Sequence, residues 1–123
     1  MPKVSIIIPV YKTEAFIEKC ARSLFEQTFK DIEYIFVNDA TPDNSIDILE
    51  KVISEYPERK NNCFVVNHAK NKGLAAARNS GLAAATGEYV IHCDSDDWIH
   101  PSMIADMYHA AIEHQADIVS CDF

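Results

Sequence analysis

Three aspartates within four positions are the residues of this chain best suited to chemistry: Asp94, Asp96 and Asp97, in the run Asp94-Ser95-Asp96-Asp97. They follow directly on EYVIHC, Glu88 to Cys93, an apolar run that reads as a buried strand. Carboxylates crowded at the carboxyl end of a strand repel one another and resist burial. A divalent cation relieves both problems, because hard cations prefer oxygen ligands. Crevices beyond the carboxyl ends of strands are also where open α/β sheets bind ligands. The pattern predicts a metal site poised for a phosphorylated ligand. A competing account makes Asp97 the cap of a helix starting near Pro101, since acidic groups suit helix starts and proline suits the first turn. That account explains one aspartate, not three.

Other polar groups fall at the same edge. Tyr11 follows the first apolar run and can stack on a flat ring, or pack on the next helix as a rim aromatic. Asp39 ends the second run and can accept a hydrogen bond from a base edge, or open an Asx turn into Thr41-Pro42. Asn71-Lys72-Gly73 precedes a helix, so its backbone N–H groups could meet an anion. Arg78, among alanines, reaches a partner such as Asp39 or a ligand, or stands solvated. His92, Asp94 and Asp96 alternate, as a His/Asp metal centre would require, but no other histidine has ligand-like spacing apart from His109 and His114 on the last helix. His92 then reads as a strand-end residue and His100 as a helix-start residue. An EF-hand is excluded: its sixth position would be Ile99 and its twelfth Ala105. A magnesium-dependent phosphohydrolase or phosphoacceptor domain competes, though the late lysine and Ser/Thr it needs are not evident, and a nucleotide-binding or interaction module without catalysis is a further alternative.

These residues need elements to position them. Val4–Val10, Ile32–Val37, Cys63–Val66 and Glu88–Cys93 read as strands, with a fifth at Asp117–Cys121. Helices are expected from Thr13, as cap, to Thr28, along Ile46–Tyr56 until Pro57, over Leu74–Ala85 closed by Gly87, and over Pro101–His114. Glu58–Asn62 reads as a charged loop. Alternating strands and helices predict a three-layer α/β/α, Rossmann-like, mostly parallel sheet. The first turn, Pro9 to Thr13, has no glycine, which disfavours NAD or FAD binding, and there is no P-loop.

Composition bounds the rest. The 123 residues carry a formal net charge of −8, which argues against nucleic acid as a partner and makes an anionic ligand depend on local positive charge. No apolar run reaches the ~20 residues of a membrane span, and the amino terminus reads as a strand rather than a leader. Cys20, Cys63, Cys93 and Cys121 form no Cys-x-x-Cys pair and read as buried thiols in a reducing cytoplasm.

Four segments, in order and spacing, carry a resemblance: VSIIIPVYK from Val4, IEYIFVNDAT from Ile32 followed by Asp43 and Ser45, NKGLAAARN from Asn71, and GEYVIHCDSDD from Gly87. Together they resemble family 2 glycosyltransferases of the GT-A fold. The resemblance implies residues 1–123 as a single donor-binding domain, the amino-terminal part of a longer enzyme. It implies an inverting transfer from a nucleotide-diphospho-sugar, most often UDP-linked, to a hydroxyl of a glycan or lipid-linked acceptor. Tyr11 would stack near the base, with Pro9 and Val10 shaping that pocket, Asp39 bonding the base edge, and Gly73 and Arg78 lining it. Asp94 would hold ribose or donor sugar and join Asp96 in coordinating Mg2+ or Mn2+. The catalytic base is expected beyond Phe123, so the chain alone would not complete transfer. A cytoplasmic protein, peripheral at the inner membrane when full-length, is the expected setting.

Overall fold

All seven residues of β1 (Val4–Val10) are buried, as a strand covered on both faces requires. The computed structural model describes residues 2–114. After β1 come α1 (Ile17–Phe25), β2 (Ile32–Asn38), α2 (Ser45–Ser54), α3 (Pro57–Lys60), β3 (Cys63–Asn67), α4 (Leu74–Ala84), β4 (Tyr89–His92) and α5 (Met103–His114). The sheet runs β3-β2-β1-β4 with every neighbouring pair parallel. The expected fifth strand at 117–121 lies outside the described residues.

Alternation along β1 sorts the layers. Val4, Ile6, Ile8 and Val10 face α1, α2 and α5, in a core with Leu24, Phe25, Tyr34, Phe36, Leu49 and Ile104. Ile7, Ile35 and Val37 face α4, whose Ala77 joins them. Small residues let α4 lie close to the sheet: a Cβ on Gly81 would stand 2.4 Å from Ile7 Cγ2 and 3.2 Å from Val37 Cγ2.

Several boundaries differ from expectation, each for a local reason. Thr13 does not cap α1 through its side chain; its carbonyl accepts the Phe16 and Ile17 amides at 2.9 and 2.8 Å, and the helix begins at Ile17. Its C-terminal turn stops early because Gln27 leaves the helix. The Gln27 amide donates to the Ser23 and His100 carbonyls and accepts from the Ile104 amide. Pro57 ends α2 but also starts α3, where its missing N–H costs nothing. Gly87 does not close α4, which ends through Ala85 in extended conformation. Gly87 instead passes against β1, where a Cβ would stand 2.7 Å from the Ser5 amide nitrogen.

Pro9 sits within a central strand, where a missing N–H usually breaks a ladder. The Cys93 amide donates to the Ile7 carbonyl and the Asp39 amide to that of Val10. Position 9 therefore turns its backbone toward β4, which has already ended at His92. The proline costs no sheet bond and marks where the sheet opens into a cleft.

Arg59 is buried and has no carboxylate partner among the described residues. Its guanidinium donates to the carbonyls of Phe25, Gln27, Phe29 and Lys30 at 2.9 to 3.1 Å and stacks near Tyr34. It fastens the α1–β2 connection to α3. Arg59→Lys keeps the charge but not the fork, so buried carbonyls lose their donor. We expect a loss of about 2 kcal/mol in urea unfolding with an unchanged m-value; a midpoint equal to the unsubstituted chain would remove this role.

Candidate functional site

The strand register brings the candidate residues to one edge. Val10, Asn38 and Asn67 are aligned across β1, β2 and β3, so Tyr11, Asp39 and His68 each begin the loop beyond a strand. β4 ends at His92, and Asp94 follows on the same edge.

The acidic segment folds back on itself. The Asp97 amide donates to the Asp94 carbonyl at 3.1 Å, a turn that brings the side chains together. One carboxylate oxygen from each of Asp94, Asp96 and Asp97 lies within 4.8 Å of the others. His92 is not in this group. Burial raises the Asp97 carboxyl above its usual range, and the like charges of Asp96 and Asp94 raise it further. Asp97, predicted as either cap or ligand, points into the cluster. The set is all oxygen, clustered and electrostatically unfavourable when bare, and so fits Mg2+ or Mn2+ rather than a soft metal.

The segment is stitched to α1 and the first turn. Ser95 donates to the Thr13 hydroxyl at 3.0 Å, the Cys20 thiol reaches the Asp94 carbonyl at 3.7 Å, and the Ile99 amide donates to the Ser23 hydroxyl. A cleft of about 200 Å³ results, lined by Pro9, Tyr11, Thr13, Leu74, Asp94, Ser95 and Asp96. Pockets for small ligands run to roughly 300–1,000 Å³, so the cleft is an open recess smaller than an enclosing ligand pocket. Tyr11 is exposed at its mouth, with the Lys12 ammonium 5.4 Å from the ring centroid. Val10, by contrast, is fully buried in the core and does not line the cleft.

Arg78 reaches Asp94, donating from Nη2 to Oδ1 at 3.1 Å in a half-exposed pair, and does not reach Asp39, which is engaged elsewhere. Arg78 Nε and His92 Nδ1 are buried without a hydrogen-bond partner among the described residues. Burial lowers the His92 pKa, the Arg78 charge lowers it further, and Asp94 opposes both.

Asp39 is nearly inaccessible. Its Oδ1 accepts from His68 Nδ1 at 2.7 Å and the Lys72 amide at 2.9 Å. Its Oδ2 accepts from the Gly73 amide at 2.9 Å and Asn71 Nδ2 at 3.0 Å. The amides at 72 and 73 do meet an anion, but the anion is Asp39. Burial pushes this carboxyl up; the hydrogen bonds from His68, Lys72 and Gly73 outweigh it and hold the pKa below its usual value. Gly73, at φ +94°, supplies the left-handed turn that aims both amides at the carboxylate. Sequence reasoning missed His68, whose only signal is its place one residue past β3.

It also missed the clamp between the first two turns. Lys12 and Ala40, both non-glycine, adopt φ +54° and +56°. The Lys12 amide donates to the Thr41 hydroxyl, which donates to Asp43 Oδ1, and Asp43 also accepts from Ser45 and the Glu14 amide. Burial raises the Asp43 carboxyl, but bonds from Ser45, Thr41 and the Glu14 amide bring it down to about 2.

This parallel α/β sheet, with an aromatic and convergent carboxylates at its carboxyl edge, has the GT-A fold of its glycosyltransferase neighbours. The chain belongs to glycosyl transferase family 2, whose family model matches residues 5–123. It is 45% identical to the uncharacterized glycosyltransferase EpsJ of Bacillus subtilis over 123 residues, covering 100% of this chain and 34% of EpsJ. Among solved structures it resembles S. aureus TarS in complex with UDP, with a TM-score of 0.80 and 33% identity over 92% of this chain and 33% of the other. It also resembles the mannosyltransferase PcManGT from Pyrobaculum calidifontis in complex with GDP-Man and Mn2+, with a TM-score of 0.79 and 27% identity over 86% and 31%. The chain spans about a third of the length of these relatives. The match carries the transferase reading over the phosphohydrolase and phosphoacceptor alternatives. No helix among the described residues is long and apolar enough to cross a membrane.

The Asp43 clamp gives a pH prediction. Its folded pKa, about 2, lies below the ordinary ~3.9, so its stabilisation is complete above pH ~4 and is lost as pH falls toward 2. Asp39 acts in the same direction. Urea midpoints should fall for the unsubstituted chain between pH ~4.5 and ~2.5 and fall less for Asp43→Asn. Parallel pH profiles would dismiss the clamp.

Proposed function

We propose that this chain is the donor-binding part of an inverting, metal-dependent glycosyltransferase that uses a nucleotide-diphospho-sugar, UDP-linked, and transfers to a hydroxyl of a glycan or lipid-linked acceptor. The observation that carries the reading is the convergence of Asp94, Asp96 and Asp97 beside Tyr11 in one cleft. The relatives' UDP, GDP-Man and Mn2+ complexes support it.

In this reading Tyr11 stacks on the base at the cleft mouth, Pro9 forms the floor, and Val10 shapes it from the core. Gly73 and Arg78 complete the same wall. Asp39 bonds the base edge only if an incoming N–H replaces one of its present donors, and the exposed Asn71 amide is the replaceable one. Asp94 holds ribose or donor sugar, and Asp94 and Asp96 hold Mg2+ or Mn2+. A bound cation would offset the negative charge developing on the leaving diphosphate. Arg78 adds a second positive group next to Asp94, which matters in a chain of net charge −8. The acceptor hydroxyl attacks the anomeric carbon opposite the departing nucleotide, and a carboxylate outside the donor residues named here takes its proton. In the cell, the whole protein works in polysaccharide synthesis at the cytoplasmic face of a membrane.

Calorimetric titration of UDP with and without Mn2+ tests this. The unsubstituted chain should bind UDP at least tenfold more tightly with metal, and Asp96→Ala should lose that gain. Binding indifferent to metal and to Asp96 would reject the metal role. Binding of GDP instead of UDP would correct the nucleotide, and binding of neither would reject the donor site.

A further inference from the structure

Behind the cleft, three side chains stand in a row, of which the donor reading uses only Asp39. Asp39 Oδ1 lies 2.7 Å from His68 Nδ1, and His68 Nε2 lies 2.7 Å from Ser80 Oγ. The Asp39 and His68 side chains are 4% and 6% exposed, so water does not substitute for these bonds. The order carboxylate, imidazole, hydroxyl is that of a serine hydrolase triad, and the backbone decides whether it can act as one. Ser80 lies inside α4, where its amide and that of Gly81 are committed to helix bonds. No amide is free to stabilise an oxyanion beside the hydroxyl, so nucleophilic catalysis is not what this row is built for.

The chemistry fixes its direction instead. An ionised carboxylate only accepts, so the imidazole proton sits on Nδ1. In the tautomer with that proton, Nε2 accepts the Ser80 hydroxyl proton. A Ser80 hydroxyl donating to Nε2 favours the tautomer that Asp39 needs, and α4 supplies the hydroxyl that orients its own anchor. The same Asp39 oxygen that accepts from His68 also accepts from the Lys72 amide, while its other oxygen holds Gly73. Gly73 is followed at once by Leu74 in the cleft wall, and α4 carries Arg78 to Asp94.

We propose that His68, held by Ser80, is a positioning residue that sets the Asp39 carboxylate and through it the 71–74 wall of the nucleotide cleft. This deepens the donor-site reading and rests on it. The role is indirect: His68 touches neither ligand nor metal, and its effect reaches the ligand only through Asp39 and the start of α4.

Three substitutions separate positioning from packing. Asn places an amide N–H close to where Nδ1 stands, so His68→Asn keeps the bond to Asp39. His68→Gln carries its amide toward Ser80 instead, and His68→Ala keeps neither. UDP titration with Mn2+, well below each variant's thermal midpoint, should show Kd raised about tenfold in His68→Ala and His68→Gln and within about threefold of the unsubstituted chain in His68→Asn. Equal affinity in all variants, or equal loss in all three, would overturn the proposal. Long-range 15N–1H spectra of the histidine rings at alkaline pH, where imidazoles are neutral, add a readout without ligand. They should show the His68 proton on Nδ1, and a proton on Nε2 would overturn the relay. If the unsubstituted chain binds no UDP while the Nδ1 tautomer is found, the donor reading fails, and the role given to His68 fails with it although the bonds stand.

Discussion

A carboxylate removed from water costs several kcal/mol unless its lone pairs are all answered. Asp39 is in that position, and four donors from residues 68, 71, 72 and 73 answer it. None of the four can move freely. One is a ring held between two elements, two are backbone amides in a turn that only glycine enters easily, and one is a side chain on that turn. The segment from His68 to the start of α4 is therefore shaped around a charge rather than around a hydrophobic contact. α4 needs this anchor, because alanines and a glycine bury little apolar surface.

The acidic cluster is the opposite case. Asp94, Asp96 and Asp97 are brought together without enough donors to satisfy them, and among the described residues only Arg78 forms an ion pair with them. What holds them there is a set of neutral bonds to α1: Ser95 to Thr13, Cys20 to the Asp94 carbonyl, and Ile99 to Ser23. Repulsion built in by folding is what gives such a site its affinity for a cation. The left-handed Lys12 and Ala40 show the same logic in the backbone, since each costs something and persists only because Thr41 and Asp43 tie both turns together.

Much of this was legible in the residues. Nearly all-apolar runs marked β1 and β2, and the helical spacing of Ile17, Cys20, Ala21 and Leu24 marked α1. Tyr11, Asp39 and Asp94 could be placed at one sheet edge because parallel order follows from alternating strands and helices. Boundaries were less legible where a side chain from far away intervenes. Gln27 ends α1 because it bonds to residues 100 and 104, and Gly87 is needed against Ser5, more than eighty positions earlier.

The sequence by itself determined the layer order, the edge at which the polar residues gather and the oxygen-rich character of the acidic cluster. These follow from periodicity and residue type, which are local. Only the tertiary structure decided what each charge faces: that the amides of 72 and 73 hold Asp39 and not a ligand, that Arg78 goes to Asp94, that Val10 is core, and that His68 and Ser80 stand in line behind Asp39. Partners 12 to 34 residues apart along the chain meet only after the sheet has set their register, and electrostatics depends on that distance in space.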